Sequence, residues 1–159
     1  MKVFVTGVNG QLGHDVMNEL QKRGYEGIGT DLSESYGGIE DGTAVTTMPY
    51  VSLDITDADA VRRTISELQP DAIVHCAAWT AVDLAEDDDK VAQVRRVNVD
   101  GTQNIATVAK EVGAKMVYLS TDYVFNGQGE TPWEPDCKEY QPLNVYGQTK
   151  LDGELAGAN

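Results

Sequence analysis

The string Val3-Phe4-Val5-Thr6-Gly7-Val8-Asn9-Gly10-Gln11-Leu12-Gly13 constrains this chain more than any other part of it. A run of apolar and β-branched residues meets glycines spaced three apart, and a segment with apolar residues at helical intervals follows. That order spells strand, tight turn, helix. Gly7 permits the turn off the strand, Gly10 lets a backbone approach a pyrophosphate, and Gly13 lets the helix pack close to the strand. The unpaired N–H groups that open the helix then favour phosphate. A glycine-rich turn without a ligand has the same local pattern, but this context favours a dinucleotide, with Asn9 of the same turn among the candidate cofactor-binding residues.

The rest of the chain repeats the alternation. A strand over residues 2–6 leads into a helix from Gln11 to about Arg23, with Leu12, Val16 and Leu20 on one face. Further strands are expected over Tyr25–Thr30, Tyr50–Leu53, Ala72–Cys76 and Met116–Ser120. Between them, Asp57 caps a helix that runs to about Leu68 ahead of Pro70, and a long helix with an acidic face covers much of 90–112 until Gly113 stops it. Residues 32–50 and 126–144 lack periodicity and read as loops, the first of them a mobile surface loop. A last helix starts near Asn144. Strands separated by helices of this length imply βαβ units and a Rossmann-like, doubly wound parallel sheet in three α/β/α layers. The 159 residues suit one domain, 1–159.

Right-handed crossovers place the strand C-termini along one edge, where ligands bind in open α/β sheets. The chemistry-bearing residues fall there. Asp31 ends the second strand, where a carboxylate accepts hydrogen bonds from ribose hydroxyls and repels a 2′-phosphate. No arginine follows it closely, so NADH is favoured over NADPH. Asp54-Ile55 can contact adenine, although a turn role for Asp54 fits nearly as well. Ala77 and Ala78 are small enough for backbone to lie against a cofactor. Tyr146 and Lys150 are one helical turn apart on one face. A neighbouring ammonium favours the phenolate and pulls a phenol toward the working range of an acid–base group. On chemistry alone, either Ser120 or Thr121 could orient a reacting carbonyl, and strand alternation lets only one of them reach the site.

A formal charge of −14 argues against nucleic acid or anionic lipid as partner. No apolar run is long enough to span a membrane and no signal-peptide pattern opens the chain, so a cytoplasmic location is expected. Cys76 and Cys137 read as idle thiols, and His14 and His75 as ordinary helix or strand residues, with no metal site. The run Glu86-Asp87-Asp88-Asp89 reads as a solvated acidic helix start. Trp133 is a substrate or interface contact, or a loop anchor.

The strings GVNGQLG, HCAAWTAVDLAE, STDYVFNGQGETPWEPD and PLNVYGQTKLDGE resemble the dTDP-4-dehydrorhamnose reductases, a family of extended short-chain dehydrogenases/reductases. The likeness runs nearly the whole length and is weakest over 32–50. It implies reduction of the C4 keto group of dTDP-4-dehydro-β-L-rhamnose by NADH or NADPH, giving dTDP-L-rhamnose. By position, it implies Tyr146 as proton donor, Lys150 as its activator and ribose ligand, and Thr121 as the third catalytic group, with Asp122 close to the sugar. Gly10, Gln11 and Leu12 would line the pyrophosphate and Asp31 the adenosine ribose. Asp54, Ile55, Ala77, Ala78 and Trp79 would line the rest of the cofactor. Related dehydratases carry Thr-Asp-Glu after the fifth strand, whereas Tyr123 stands here in place of that glutamate. The family also continues past the Tyr-Lys helix into a substrate lobe. The resemblance therefore implies a fragment that binds cofactor weakly and does not turn over, from a protein that could form a homodimer. The competing reading is a noncatalytic regulatory subunit like that of methionine adenosyltransferase, or another nucleotide-sugar epimerase of the same fold.

Overall fold

The computed structural model describes residues 1–43 and 47–158. Its sheet has five parallel strands in the order β3-β2-β1-β4-β5, from β1 (Lys2–Thr6), β2 (Glu26–Asp31), β3 (Tyr50–Ser52), β4 (Ala72–His75) and β5 (Lys115–Tyr118). The reversal of direction across the sheet falls between β1 and β4, so a crevice opens beyond their C-terminal ends. This is the expected Rossmann-like architecture.

β1 is central and covered on both faces. Phe4 joins Ile28, Ile73, Val61, Ile65 and Ile105 on one side, while Val3 and Val5 join Val8, Met17 and Leu20 on the other. The two-residue period of a strand makes that division. Helix α1 (Gln11–Lys22) fills the second side, and α2 (Ala58–Leu68) with α4 (Thr102–Val112) fills the first. The Asp57 side chain accepts from the Ala60 N–H at 3.0 Å, capping α2 as expected. Gln69 ends α2 in the left-handed region, at φ 47°.

Two expectations need correction. Helix α1 buries Gly13, His14, Met17 and Leu20 rather than a Leu12-Val16-Leu20 stripe, and Leu12 is 49% exposed. The rotation follows from Gly13: a methyl there would collide with the Gly7 carbonyl and stand 2.7 Å from Val8 Cα, so this residue must face the turn. The long helix has no acidic face. It runs as α3 (Val91–Arg95), a π-helical turn over Arg96–Gly101, and α4. Basic side chains outnumber acidic ones along it, and the acidic run stands ahead of α3, exposed over residues 86–89. The π turn swings Asn98 inward until it is 1% exposed. Residues 32–43 form an irregular segment tied to α1 through His14, whose Nε2 lies 3.0 Å from Asp41 Oδ2. The expectation of mobility there extends over 44–46, which lie outside the described residues.

The last helix, α5 (Val145–Gly157), is capped twice. Asn144 accepts from the Gly147 N–H at 2.7 Å, and Glu86 reaches from a distant turn to accept from the Val145 N–H at 2.6 Å. Gly147 and Gly153 let α5 approach closely, since a methyl at Gly153 would stand 2.5 Å from the Asn98 carbonyl.

Candidate active site

A cleft of about 420 Å³ opens at the strand C-termini. The turn residues Gly7, Gly10, Gln11, Leu12 and Gly13 form one wall, and Asp31, Asp54 and Ile55 stand at one end. Ala77, Ala78, Tyr146 and Lys150 complete the opposite end. The structure thus brings together residues far apart in the chain, as the sequence pattern predicts for the edge of a parallel sheet.

The glycine turn fits a pyrophosphate on local grounds. Gly7 is at φ 74°, and a methyl there would stand 2.7 Å from the Ala77 backbone nitrogen. No side chain caps the first turn of α1, whose Ncap is Gly10. Its N–H groups therefore remain available to an anion.

Four sequence-proposed residues lie outside this lining. Asn9 acts on the protein itself: its Oδ1 accepts from the Gly37 N–H at 3.0 Å and its Nδ2 donates to Ser33 Oγ at 2.8 Å. Trp79 presents its backbone to Asn98, which accepts from the Trp79 N–H at 2.8 Å. Thr121 and Asp122 stand beside the cleft, at the opening turn of a short 3-10 helix over Asp122–Val124. Sequence reasoning passed over Thr30, Leu32, Cys76, Val97 and Leu119, all of which line the cleft. Position at the end of a strand was the available signal for most of them.

Asp31 is engaged locally. Its Oδ2 accepts from the Asn9 N–H at 3.0 Å and its Oδ1 from the Leu32 N–H at 2.8 Å. A carboxylate held by two amides is fixed in place and still has lone pairs to offer. Asp54 serves as a turn residue, accepting from both the Thr56 N–H and Thr56 Oγ1 at 2.8 Å, while also facing the cleft.

Ser120 lines the cleft and donates to Glu154 Oε2 at 2.8 Å, whereas the Thr121 hydroxyl donates to Asp122 Oδ1 at 3.2 Å and accepts from the Tyr123 N–H at 3.2 Å. The strand has already ended at Tyr118, so backbone turning, not strand alternation, separates the two side chains.

Lys150 does not behave as expected. Its Nζ donates to the Leu119 carbonyl at 2.6 Å and lies 4.2 Å from the centre of the Tyr118 ring. Burial lowers its pKa to about 8, against smaller opposing effects of Cys76 and Glu154. The Tyr146 phenol is raised above its ordinary value, chiefly by burial, with Thr121 pulling the other way and Tyr123 and Asp122 adding to the rise. In this arrangement the ammonium does not draw the phenol down. Cys76, half-buried in the cleft wall, is a free thiol pushed up to about 11 by burial, with Lys150 opposing.

Trp133 anchors its loop. Its ring stacks on Phe125 at 4.6 Å and 11°, and Phe125 stacks in turn on Tyr140 at 5.7 Å. Among the described residues, no cluster of His, Cys, Asp or Glu could hold a metal ion, and no helix is long and apolar enough to cross a membrane.

The profile of one family, described as the RmlD substrate binding domain, matches residues 1–158. The chain belongs to that family. A dTDP-4-dehydrorhamnose reductase from Streptomyces griseus is 40% identical over 153 residues, covering 96% of this chain and 43% of the relative. Methionine adenosyltransferase 2 subunit beta from Pongo abelii is 37% identical over 155 residues, covering 98% of this chain and 42% of the relative. The crystal structure of dTDP-4-dehydrorhamnose reductase from Bacillus anthracis in complex with NADP superposes with a TM-score of 0.81 at 34% identity, covering 99% of this chain and 49% of that one. The chain thus spans about half the length of these relatives.

Proposed function

We propose that this chain is the cofactor-binding and proton-donating part of an NAD(P)H-dependent reductase acting on a dTDP-4-keto sugar, converting dTDP-4-dehydro-β-L-rhamnose to dTDP-L-rhamnose. The observation that carries this reading is the meeting of Tyr146 and Lys150 with the glycine turn in one cleft. A bound nicotinamide supplies the hydride. Gly7, Gly10 and the first turn of α1 hold the pyrophosphate, and Asp31 takes the adenosine ribose. Thr121 orients the sugar carbonyl and Asp122 lies near the sugar. Tyr146 gives its phenolic proton to the carbonyl oxygen as the hydride reaches the carbon, and solvent restores that proton. A phenol raised by burial is protonated at neutral pH, which is the form that reduction requires. Lys150 remains cationic below about pH 8 and would hold the nicotinamide ribose of a bound cofactor. The two amide bonds that fix the Asp31 carboxylate support NADH over NADPH.

The test is NADH oxidation at 340 nm by the full-length protein with dTDP-4-dehydrorhamnose. Tyr146→Phe should cost on the order of a hundredfold or more in kcat while leaving NADH binding intact. An unchanged rate would remove Tyr146 as the donor. The similarity to methionine adenosyltransferase 2 subunit beta supports a second, noncatalytic reading. Absence of turnover, together with tight dinucleotide binding and a copurifying synthetase, would favour it.

A further inference from the structure

His75 is 1% exposed and has no part in the reaction just described. It sits at the end of β4, between Thr6 at the end of β1 and Thr102 at the start of α4. Its Nδ1 lies 2.8 Å from Thr6 Oγ1 and its Nε2 lies 3.1 Å from Thr102 Oγ1. The hydrogens can be assigned around the ring. Thr102 has one hydroxyl hydrogen, which it donates to the Asn98 carbonyl at 2.8 Å. Its oxygen must therefore accept from His75, so the proton is on Nε2. Burial, with Lys150 nearby, lowers the imidazole to about 3, so the ring is neutral and Nδ1 accepts from Thr6. Thr6 Oγ1 in turn accepts from the Ala77 N–H at 3.1 Å, in the cleft wall.

The chain of bonds continues on the far side. Asn98 accepts from the Trp79 N–H at 2.8 Å, and its Nδ2 donates to the Trp79 carbonyl at 3.2 Å and to Thr149 Oγ1 at 3.0 Å. Thr149 donates to the Tyr146 carbonyl at 2.9 Å. Each bond is buried or half-buried, and each donor meets one acceptor without conflict.

We propose that His75, fixed as the neutral Nε2–H tautomer, is a positioning residue that ties the glycine-turn strand to the π turn and so sets the placement of the Tyr146 turn of α5. Flipping the tautomer would set the bare Nε2 against the Thr102 oxygen, lone pair against lone pair, and turn Nδ1–H toward the Thr6 hydroxyl. The pieces would then have to separate, because a buried polar group without a partner is costly. A displacement of about 1 Å at a reacting group is enough for a large loss of rate.

The test has a spectroscopic and a kinetic arm, and only the kinetic arm rests on the reductase reading. Long-range proton–nitrogen correlation spectra at pH 7 should show His75 protonated on Nε2. Thr102→Val removes the hydroxyl at nearly constant volume. It should speed exchange of the Trp79 amide about tenfold and lower kcat about tenfold, with the KM for NADH within about twofold. Thr102→Ser should restore both. An Nδ1–H tautomer, unchanged Trp79 exchange and kcat in Thr102→Val, or a loss that serine does not restore would overturn the proposal. If Thr102→Val does not fold, the tautomer in the unaltered protein and the behaviour of Thr102→Ser decide. If the unaltered protein lacks reductase activity, the reductase reading falls, while tautomer and amide exchange still judge His75.

Discussion

Replacing Lys150 by methionine should make the protein more stable at pH 7 while damaging its site. Lys150 is 4% exposed, and its pKa falls from 10.5 to about 8. At about 1.4 kcal/mol per tenfold change in proton affinity, holding that ammonium in the fold costs about 3 kcal/mol relative to a neutral side chain. Methionine has similar length and no charge. It forfeits the bond to the Leu119 carbonyl, which offsets about 1 kcal/mol. A net gain of about 2 kcal/mol remains. The sign with pH follows from linkage. Between about pH 8 and 10.5 the unfolded chain binds the proton that the folded one has released, so stability of the unaltered protein rises across that window. Below pH 8 the full penalty applies, and above 10.5 it vanishes. Urea unfolding of both proteins at pH 7 and pH 10 measures the difference. Lys150→Met should be the more stable at pH 7, and its advantage should shrink at pH 10. A variant equally or less stable at pH 7, or an advantage independent of pH, would refute the reasoning. Cofactor affinity should fall in the variant at either pH, as expected where a strained charge serves a site rather than the fold.

Other expectations follow from the same geometry. Gly13→Ala should lose about 1–3 kcal/mol in thermal unfolding, because the added methyl meets the Gly7 and Val8 backbone, and dinucleotide binding should weaken with it. Asp31→Asn should shift the NADPH-to-NADH preference toward NADPH by about tenfold, roughly 1.4 kcal/mol, in paired kcat/KM measurements. It removes the negative charge at the end of β2 while one oxygen still accepts from a backbone amide. Asn144→Ala should cost about 1 kcal/mol and fray the start of α5, which amide exchange at Gly147 would report.

Much of the fold was legible because its signals are local. The core of β1 is an apolar run, as a strand buried on both faces must be, and the glycines that follow it mark the tight turn into α1. Asp57 announces its helix as a cap, and the last helix starts at Asn144 as expected, although its capping role emerged only from the structure. The pairing of Tyr146 with Lys150 on one helix face was legible, but the partner of Lys150 was not. The Leu119 carbonyl is contributed by chain bending after β5, and sequence periodicity carries no trace of it. The buried face of α1 was misread for a related reason: Gly13 faces inward because backbone approaches it, so hydrophobicity is a poor guide there. The role of Asn9 as a clasp on Ser33 and Gly37 depends on residues distant in sequence. His75 gave no signal because a lone histidine in a strand looks the same whether or not hydroxyls bracket it.

The π turn at Arg96–Gly101 makes one stretch of this chain unforgiving of changes in length. Each residue in a helix turns the chain by about 100°. Losing one residue from this segment could collapse the wide turn into ordinary helix. Asn98 would then point away from Trp79 and Thr149, although every apolar residue of α4 could still find the core. A reading frame shortened by a single codon here would yield a protein that folds and has a misassembled site, whereas the same deletion within 126–144 would be absorbed by a loop. Drift in length should therefore collect in that loop, while the count of residues between Val91 and Val112 stays constant.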